Sequence, residues 1–257
     1  MENPYPHFVV HIPHSSLYIP EEERKTFLLS DAALFAEQRR MTDTFCDELY
    51  EDGERFPVRV VAPVSRLVCD VERFRNDADE PCAKQGQGLM YVRTSFGKQL
   101  RKNDPALRQH ILDSYYDPHH ARLTAAVAHA LETTGRCTIL DGHSFHSWYP
   151  PRLKCLFDRP DVCIGTDAFH TPKDLRDAMV EHVRNAGLHV RVNTPYSGAI
   201  TPLCYYGKEK RVISVMIEIN RKLYMNERTL EKTENFERTR ALCRELMEIA
   251  AAWGTAR

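Results

Sequence analysis

At 257 residues, with 42% hydrophobic and 28% charged side chains, the chain has an ordinary globular composition and enough length for one large core. A formal net charge of -1 argues against general electrostatic affinity for nucleic acid or acidic membranes. No apolar run approaches a membrane span, and the opening Met1-Glu-Asn-Pro-Tyr-Pro-His7 lacks the basic and apolar regions of a signal peptide, so a cytoplasmic protein is expected.

In chain order, Phe8–Ile12 predicts the first strand, which runs into Pro13-His14-Ser15-Ser16. Residues Asp31 to Asp52 carry Leu34, Phe35, Met41, Phe45 and Leu49 at helical spacing and predict one helix. Val58–Val64 and Leu67–Val71 predict strands. Arg73 to Asn103, rich in Gly, Gln, Asp and Arg, predicts a long irregular segment of the functional kind. An Ala-rich helix is expected over Pro118–Glu132, then a strand over Cys137–Asp141 and another over Lys154–Phe157. Lys173 to Asn185 has Leu175, Met179 and Val183 at i, i+4 and i+8, with Gly187 as terminator. Strands over Leu188–Val192 and Val212–Ile219 follow. A last helix from about Thr229 to Trp253 presents Leu242, Leu246, Ile249 and Trp253 on one face. Strands alternating with helices predict an α/β fold of one domain, residues 1–257: a three-layer sandwich with a central mixed, mostly parallel sheet.

The eight cysteines include no C-x-x-C pair, and most sit in apolar runs, where they act as small buried hydrophobes.

Chemistry concentrates where apolar runs stop. Thr138-Ile-Leu140 gives way to Asp141-Gly-His143-Ser-Phe-His146, and the carboxyl end of a buried strand is where open α/β sheets place ligands. His14 and His143 follow two such runs and could meet on one metal ion, zinc by its preference for imidazole and carboxylate, with an open position for water. Taken alone, a loop histidine is more often a hydrogen-bonding residue. Asp43 is the candidate third ligand. Asp43 and Asp47 lie four apart on the predicted helix and share a face, with Phe45 and Leu49 on the buried side. Asp47 is expected to be a solvated surface charge, and Asp43 could be one too. Glu218 interrupts the apolar run Val212–Ile219, so a buried carboxylate is expected there, with a pKa raised toward the range of a general base or else paired with Arg221. Arg66, Arg73, Arg93 and Arg221 are candidate readers of a substrate carboxylate. Asp117-Pro-His-His120 opens the Ala-rich helix, and Asn193-Thr-Pro-Tyr196-Ser197-Gly198 is a turn-rich loop offering hydrogen bonds.

Taken in order, these segments resemble the N-formylglutamate amidohydrolase family: Pro13-His-Ser-Ser16, Asp43, Ser65-Arg-Leu with Asp70-Val-Glu-Arg73, Asp117-Pro-His-His120, Asp141-Gly-His143, Asn193–Gly198 and Glu218-Ile-Asn-Arg221. The resemblance implies a phosphorylase/hydrolase-like sandwich similar to zinc carboxypeptidases and the aspartoacylase group. It implies one catalytic zinc per chain, or another divalent ion in its place, and a small acyl-amino acid substrate such as N-formyl-L-glutamate. On this basis His14, Asp43 and His143 are expected to hold the ion, with His11 or His146 as alternatives to Asp43. Glu218 is the expected base. Arg73 is expected to bind the substrate carboxylate, helped by Arg66 or Arg221, with His120, Asn193, Tyr196 and Ser197 lining the substrate. Two positions depart from the family pattern: Glu72 stands where Asn is usual before the arginine, and His119 where Tyr is usual before the helix-start histidine. A related zinc hydrolase acting on another N-acyl-amino acid or small peptide, or a binding protein on the same fold, are the competing expectations. No G-x-S-x-G is present to support a serine hydrolase.

Overall fold

The computed structural model describes residues 4–148 and 159–253. The expected strand over Lys154–Phe157 lies outside them. The chain forms two compact units, one of Met1–Ile12, Phe45–Val60 and Leu123–Arg257, the other of Pro13–Thr44 and Val61–Arg122.

The first unit is built on a six-stranded sheet: β1 (Phe8–Ile12), β2 (Arg59–Val61), β3 (Cys137–Phe145), β4 (Val162–Thr166), β5 (Val190–Val192) and β6 (Val212–Asn220), in the order β2-β1-β3-β6-β4-β5. The β1–β3, β3–β6 and β4–β5 pairs are parallel, and β4 runs antiparallel to β6, so the sheet is mixed and mostly parallel as expected. β1 and β6 fall where the sequence puts them. β3 is longer. It continues through Asp141-Gly-His-Ser to Phe145, because β6 pairs it along its whole length, from Cys137 opposite Val212 to Phe145 opposite Asn220. His143 therefore lies within a strand rather than beyond its end. β4 carries no alternation and a glycine, and gave no sequence signal.

Alternation sorts the sheet's two faces. Val9, Ile139 and Val212 pack with Leu123, Val127 and Ala130 of α5 (Asp117–Thr134), which the sequence expects over Pro118–Glu132. The opposite face carries Gly142, where an added Cβ would stand 2.7 Å from the Tyr50 ring and 2.8 Å from Ile12. Tyr50 caps α3 (Cys46–Leu49). On that side lie α6 (Lys173–Asn185) and α7 (Phe236–Ala252), α7 placing Cys243 against the Tyr50 hydroxyl. α6 has the expected bounds, and Gly187 adopts φ +77° just beyond its end, the left-handed geometry that closes a helix. α7 begins later than expected, because Thr229–Asn235 turns through β7 (Met225–Asn226) and β8 (Glu231–Lys232) instead.

The second unit contains α1 (Glu21–Arg24), α2 (Asp31–Met41), a 3-10 turn over Pro81–Gln85 and α4 (Pro105–Ile111). Its core gathers Leu34, Val64, Leu67, Val68, Cys69, Val71, Leu89, Tyr91, Leu100, Ile111 and Tyr116. Two expectations are corrected here. Leu67–Val71 forms turns, not a strand, since a short apolar run buried in a core looks the same whether extended or turned. The helix expected from Asp31 to Asp52 stops at Met41. Thr42 is extended, Phe45 sits at φ +66°, and Asp43 lies in the intervening segment. Asp43 and Asp47 therefore share no helix face. Apart from the 3-10 turn and the isolated bridges Gln87–Tyr91, Arg93–Gln99 and Phe27–Arg101, residues 73–103 are irregular, as expected. α4 leads through a widened turn at Leu112–Tyr116 into the Asp117-Pro118 start of α5. Pro118 has no N–H for an ordinary helical bond, and the widening sits immediately before it.

No disulfide links the described cysteines, and Cys46, Cys69, Cys137, Cys163 and Cys243 are buried. No helix among the described residues is long and apolar enough to cross a membrane.

Candidate active site

In the first unit, four titratable side chains stand on one face of three neighbouring strands, toward their carboxyl ends. His11 on β1 is in register with Asp141 on β3, and His143, two residues on, is in register with Glu218 on β6. Parallel partners point the same way, so these residues share the face that α5 covers lower down. All four are buried. The Asp141 carboxylate takes Nδ1 of His11 at 2.7 Å and Nε2 of His143 at 3.2 Å through Oδ1, and the Ile200 N–H donates to its Oδ2 at 3.1 Å. Burial opposes its charge, but the His143 and His11 imidazoles outweigh burial and hold the carboxyl well below the usual carboxylate range. Asp141 thereby fixes the orientation of both rings. Glu218 is 6% exposed at the end of an apolar strand, as its place in the sequence requires.

The loops beyond these strand ends supply cations and hydrogen-bonding groups. Arg221, 3% exposed, donates from Nε to Ser144 Oγ at 3.2 Å and from Nη2 to the Ser144 carbonyl at 3.2 Å. Its Nη1 meets Nε2 of His146 at 3.0 Å, and Nδ1 of His146 meets Glu227 at 2.5 Å. A neutral His146 protonated on Nδ1 satisfies both contacts, and the chain from Glu227 holds the guanidinium in place. Asn193, at φ +54°, accepts from the Thr166 N–H at 2.8 Å and donates to the Thr166 hydroxyl at 2.8 Å, which ties its loop to the end of β4. Tyr196 is 40% exposed, with its ring 5.8 Å from that of Phe145, and Ser197 is exposed. Burial of its hydroxyl end and the nearby Glu218 charge raise the Tyr196 phenol's pKa.

The second unit organises a cluster around Asp70. Its carboxylate receives His14 Nε2 at 2.8 Å, Arg66 Nη2 at 2.8 Å and the Tyr91 hydroxyl at 2.6 Å, with Arg73 Nε at 3.5 Å. Burial works against this charge, but Arg66, His14 and Arg73 together hold the carboxyl well below its usual range. On the other side of the His14 ring, Nδ1 lies 3.7 Å from Asp43 Oδ2 and 3.8 Å from Glu72 Oε2. The Asp43 backbone is fixed by its N–H donating to the His14 carbonyl at 2.9 Å. Burial and Arg66 both oppose a proton on His14, yet Asp70 and Asp43 raise its pKa. The charges that draw a proton to this nitrogen would equally draw a cation.

Sequence reasoning gave Asp70 no role, although the argument used for Glu218 applies to it: an acid closing the apolar run Leu67-Val68-Cys69. Arg66 and Arg73 were expected at the substrate, and the structure turns both toward Asp70. His120 donates to the Val71 carbonyl at 2.9 Å, and Arg93 is exposed and bound to the Gly97 carbonyl. Glu72 points toward His14 rather than away from it.

The donor sets fit a divalent ion. In each unit a buried imidazole is steadied by a buried carboxylate on one nitrogen, the outer support that metal-ligating histidines use. His14 and Glu72 are among the described residues that could offer atoms to an ion.

Fold and residues together define a hydrolytic enzyme of mixed α/β architecture, and three comparisons specify it. The family model for N-formylglutamate amidohydrolase matches residues 7–225. The N-formylglutamate deformylase of Pseudomonas aeruginosa PAO1 is 30% identical over 241 residues, 88% of each chain. The crystal structure of N-formylglutamate amidohydrolase from Ralstonia eutropha JMP134 superposes with a TM-score of 0.83 at 26% identity, covering 98% of this chain and 95% of that one. A gene product of Agrobacterium tumefaciens shares the fold at a TM-score of 0.68 and 23% identity, over 95% of this chain and 88% of its own. The chain belongs to the N-formylglutamate amidohydrolase family.

Proposed function

We propose that the protein is a metal-dependent deformylase that hydrolyses N-formyl-L-glutamate, a small acyl-amino acid, to formate and glutamate. Family membership and the activity of the Pseudomonas relative support the substrate. The observation that carries the mechanism is the pair of carboxylate-steadied imidazoles, His14 on Asp70 and His143 on Asp141. In this reading the family model's span across both units reflects a single functional domain, related in fold to the zinc exopeptidases.

His14, Asp43 and His143 would hold one zinc ion per chain, or another divalent ion in its place. Asp43 is taken from the family resemblance, with His11 and His146 as the alternatives; His146 already bridges Glu227 and Arg221. Zinc bound there would lower the pKa of a water and polarise the formyl carbonyl. Glu218 takes a proton from the water as its oxygen adds to the formyl carbon, and then gives that proton to the amine as the C–N bond breaks. The buried position of Glu218, in register with His143, supports this role. Arg221, oriented by Ser144 and His146, would read a substrate carboxylate by exchanging part of those contacts for it. Arg73 would share that task only by giving up part of its contact with Asp70, with Arg66 in support. His120, Asn193, Tyr196 and Ser197 complete the expected substrate surroundings, Tyr196 and Ser197 through exposed loop positions.

The Glu218→Gln substitution tests the chemistry. It preserves volume and removes the base. It is expected to keep the bound metal while formate release from N-formyl-L-glutamate falls by about a hundredfold or more in kcat. Wild-type turnover in the variant would dismiss Glu218 as the base and turn attention to Asp141.

A further inference from the structure

We propose that Glu72 is itself a protein ligand to the metal ion, joining His14 and Asp43. The inference rests on the metal-dependent reading above and extends it to a residue that the family pattern does not use in this way.

The geometry around one nitrogen carries the argument. Asp70 fixes Nε2 of His14 at 2.8 Å, which aims Nδ1 at Asp43 Oδ2, 3.7 Å away, and at Glu72 Oε2, 3.8 Å away. Both distances exceed the roughly 2.9 Å of an N–H···O bond. They lie near the separation of two ligands on a common ion, since bonds of about 2.1 Å at tetrahedral angles put ligand atoms about 3.4 Å apart. His14 and Glu72 are among the described residues that could hold an ion together. The Glu72 backbone is anchored to the same support, its N–H donating to Asp70 Oδ1 at 3.1 Å. One carboxylate thus sets both the imidazole and the start of the glutamate side chain. The Glu72 side chain is only 17% exposed, so it is not a freely solvated surface charge.

Asp43 and Glu72 supply two negative charges for a divalent cation, while Arg66, 3.9 Å from Asp43, is paired at 2.8 Å with Asp70. Asparagine at position 72 would leave that balance one negative charge short. The extra oxygen ligand should also broaden tolerance toward harder ions, because carboxylates suit manganese better than thiolates or imidazoles do.

The test measures metal affinity in the full chain, apart from turnover. Zinc binding is titrated against a chromophoric chelator for wild type, Glu72→Gln and His14→Ala, with circular dichroism to confirm folding. The cobalt(II)-loaded forms are compared by their visible absorption, which reports coordination number. Loss of a mere outer partner weakens metal binding by about 10- to 100-fold. Glu72→Gln is expected to weaken zinc by at least that much and to change the cobalt band shape and intensity. Wild-type zinc affinity and an unchanged cobalt spectrum in Glu72→Gln, beside a lost site in His14→Ala, would overturn the Glu72 assignment alone. Equal zinc binding by wild type and His14→Ala would overturn the metal-dependent reading, and the assignment with it.

Discussion

Asp70 holds more of the described chemistry than any other single side chain, contacting His14, Arg66, Arg73 and Tyr91 while fully buried. Its stabilising effect depends on pH in a defined direction. The folded-state pKa lies below the unfolded value, so the contribution is complete above about pH 4, the ordinary range of an aspartate, and is lost as pH falls through the depressed folded value. Asp70→Asn leaves two arginines facing a neutral group in a buried place. In metal-free protein it is expected to cost about 3 kcal/mol at pH 7. The gap from wild type should persist at pH 5 and narrow only below about pH 4. Urea unfolding at a series of pH values checks this. A gap that is constant down to pH 3 would show that the loss is packing and not charge. The burial of Glu218 was legible because a lone acid inside an apolar, β-branched run sits on a core-facing strand. Asp70 carried a similar signal, but the run before it was short and was assigned to a strand. The partners of Arg66 and Arg73 were not legible, since an arginine's position in a sequence says nothing about which carboxylate it will meet.

At the level of elements, β3 shows what periodicity supplies and what it omits. The apolar run Cys137–Leu140 marked the strand. Its extension past Asp141 through four further residues depends on β6, which lies about 75 positions away and pairs with every one of them. α6 was legible to its last residue because its amphipathic spacing and terminating glycine are local. The break at Thr42–Phe45 was not, because the apolar positions on either side keep helical spacing across it. Gly142 is the place where β3 depends most on a small residue. Tyr50 packs against it and sends its hydroxyl to the His143 and Ile217 carbonyls at 3.2 and 3.0 Å. Gly142→Ala forces that ring or Ile12 to move, and overpacking of this kind costs about 1–3 kcal/mol. A lower midpoint in denaturant with an unchanged slope is the expected result. An unchanged midpoint would mean that the ring yields without cost and that Tyr50 does not brace the strand.

For the whole molecule, the ordered motifs spread from Pro13 to Arg221 made the family legible, because each constrains a different part of the chain and their order leaves few folds that accommodate them all. The mixed sheet and its covering helices were legible from alternation of element types. The division into two compact units was not, since no linker, repeat or composition shift marks the crossings at residues 12, 44, 60 and 122. His14 and Asp43 belong to one unit, while His143 and Glu218 belong to the other. The proposed chemistry draws on all four. The most direct measurement is formate release from N-formyl-L-glutamate by metal-stripped protein as zinc is added back, for wild type and His143→Ala. Activity should be absent in the stripped enzyme, rise to a plateau at one equivalent of zinc per chain, and stay absent in His143→Ala at the same zinc. Full turnover by the stripped protein, or wild-type activity in His143→Ala, would contradict the proposed chemistry.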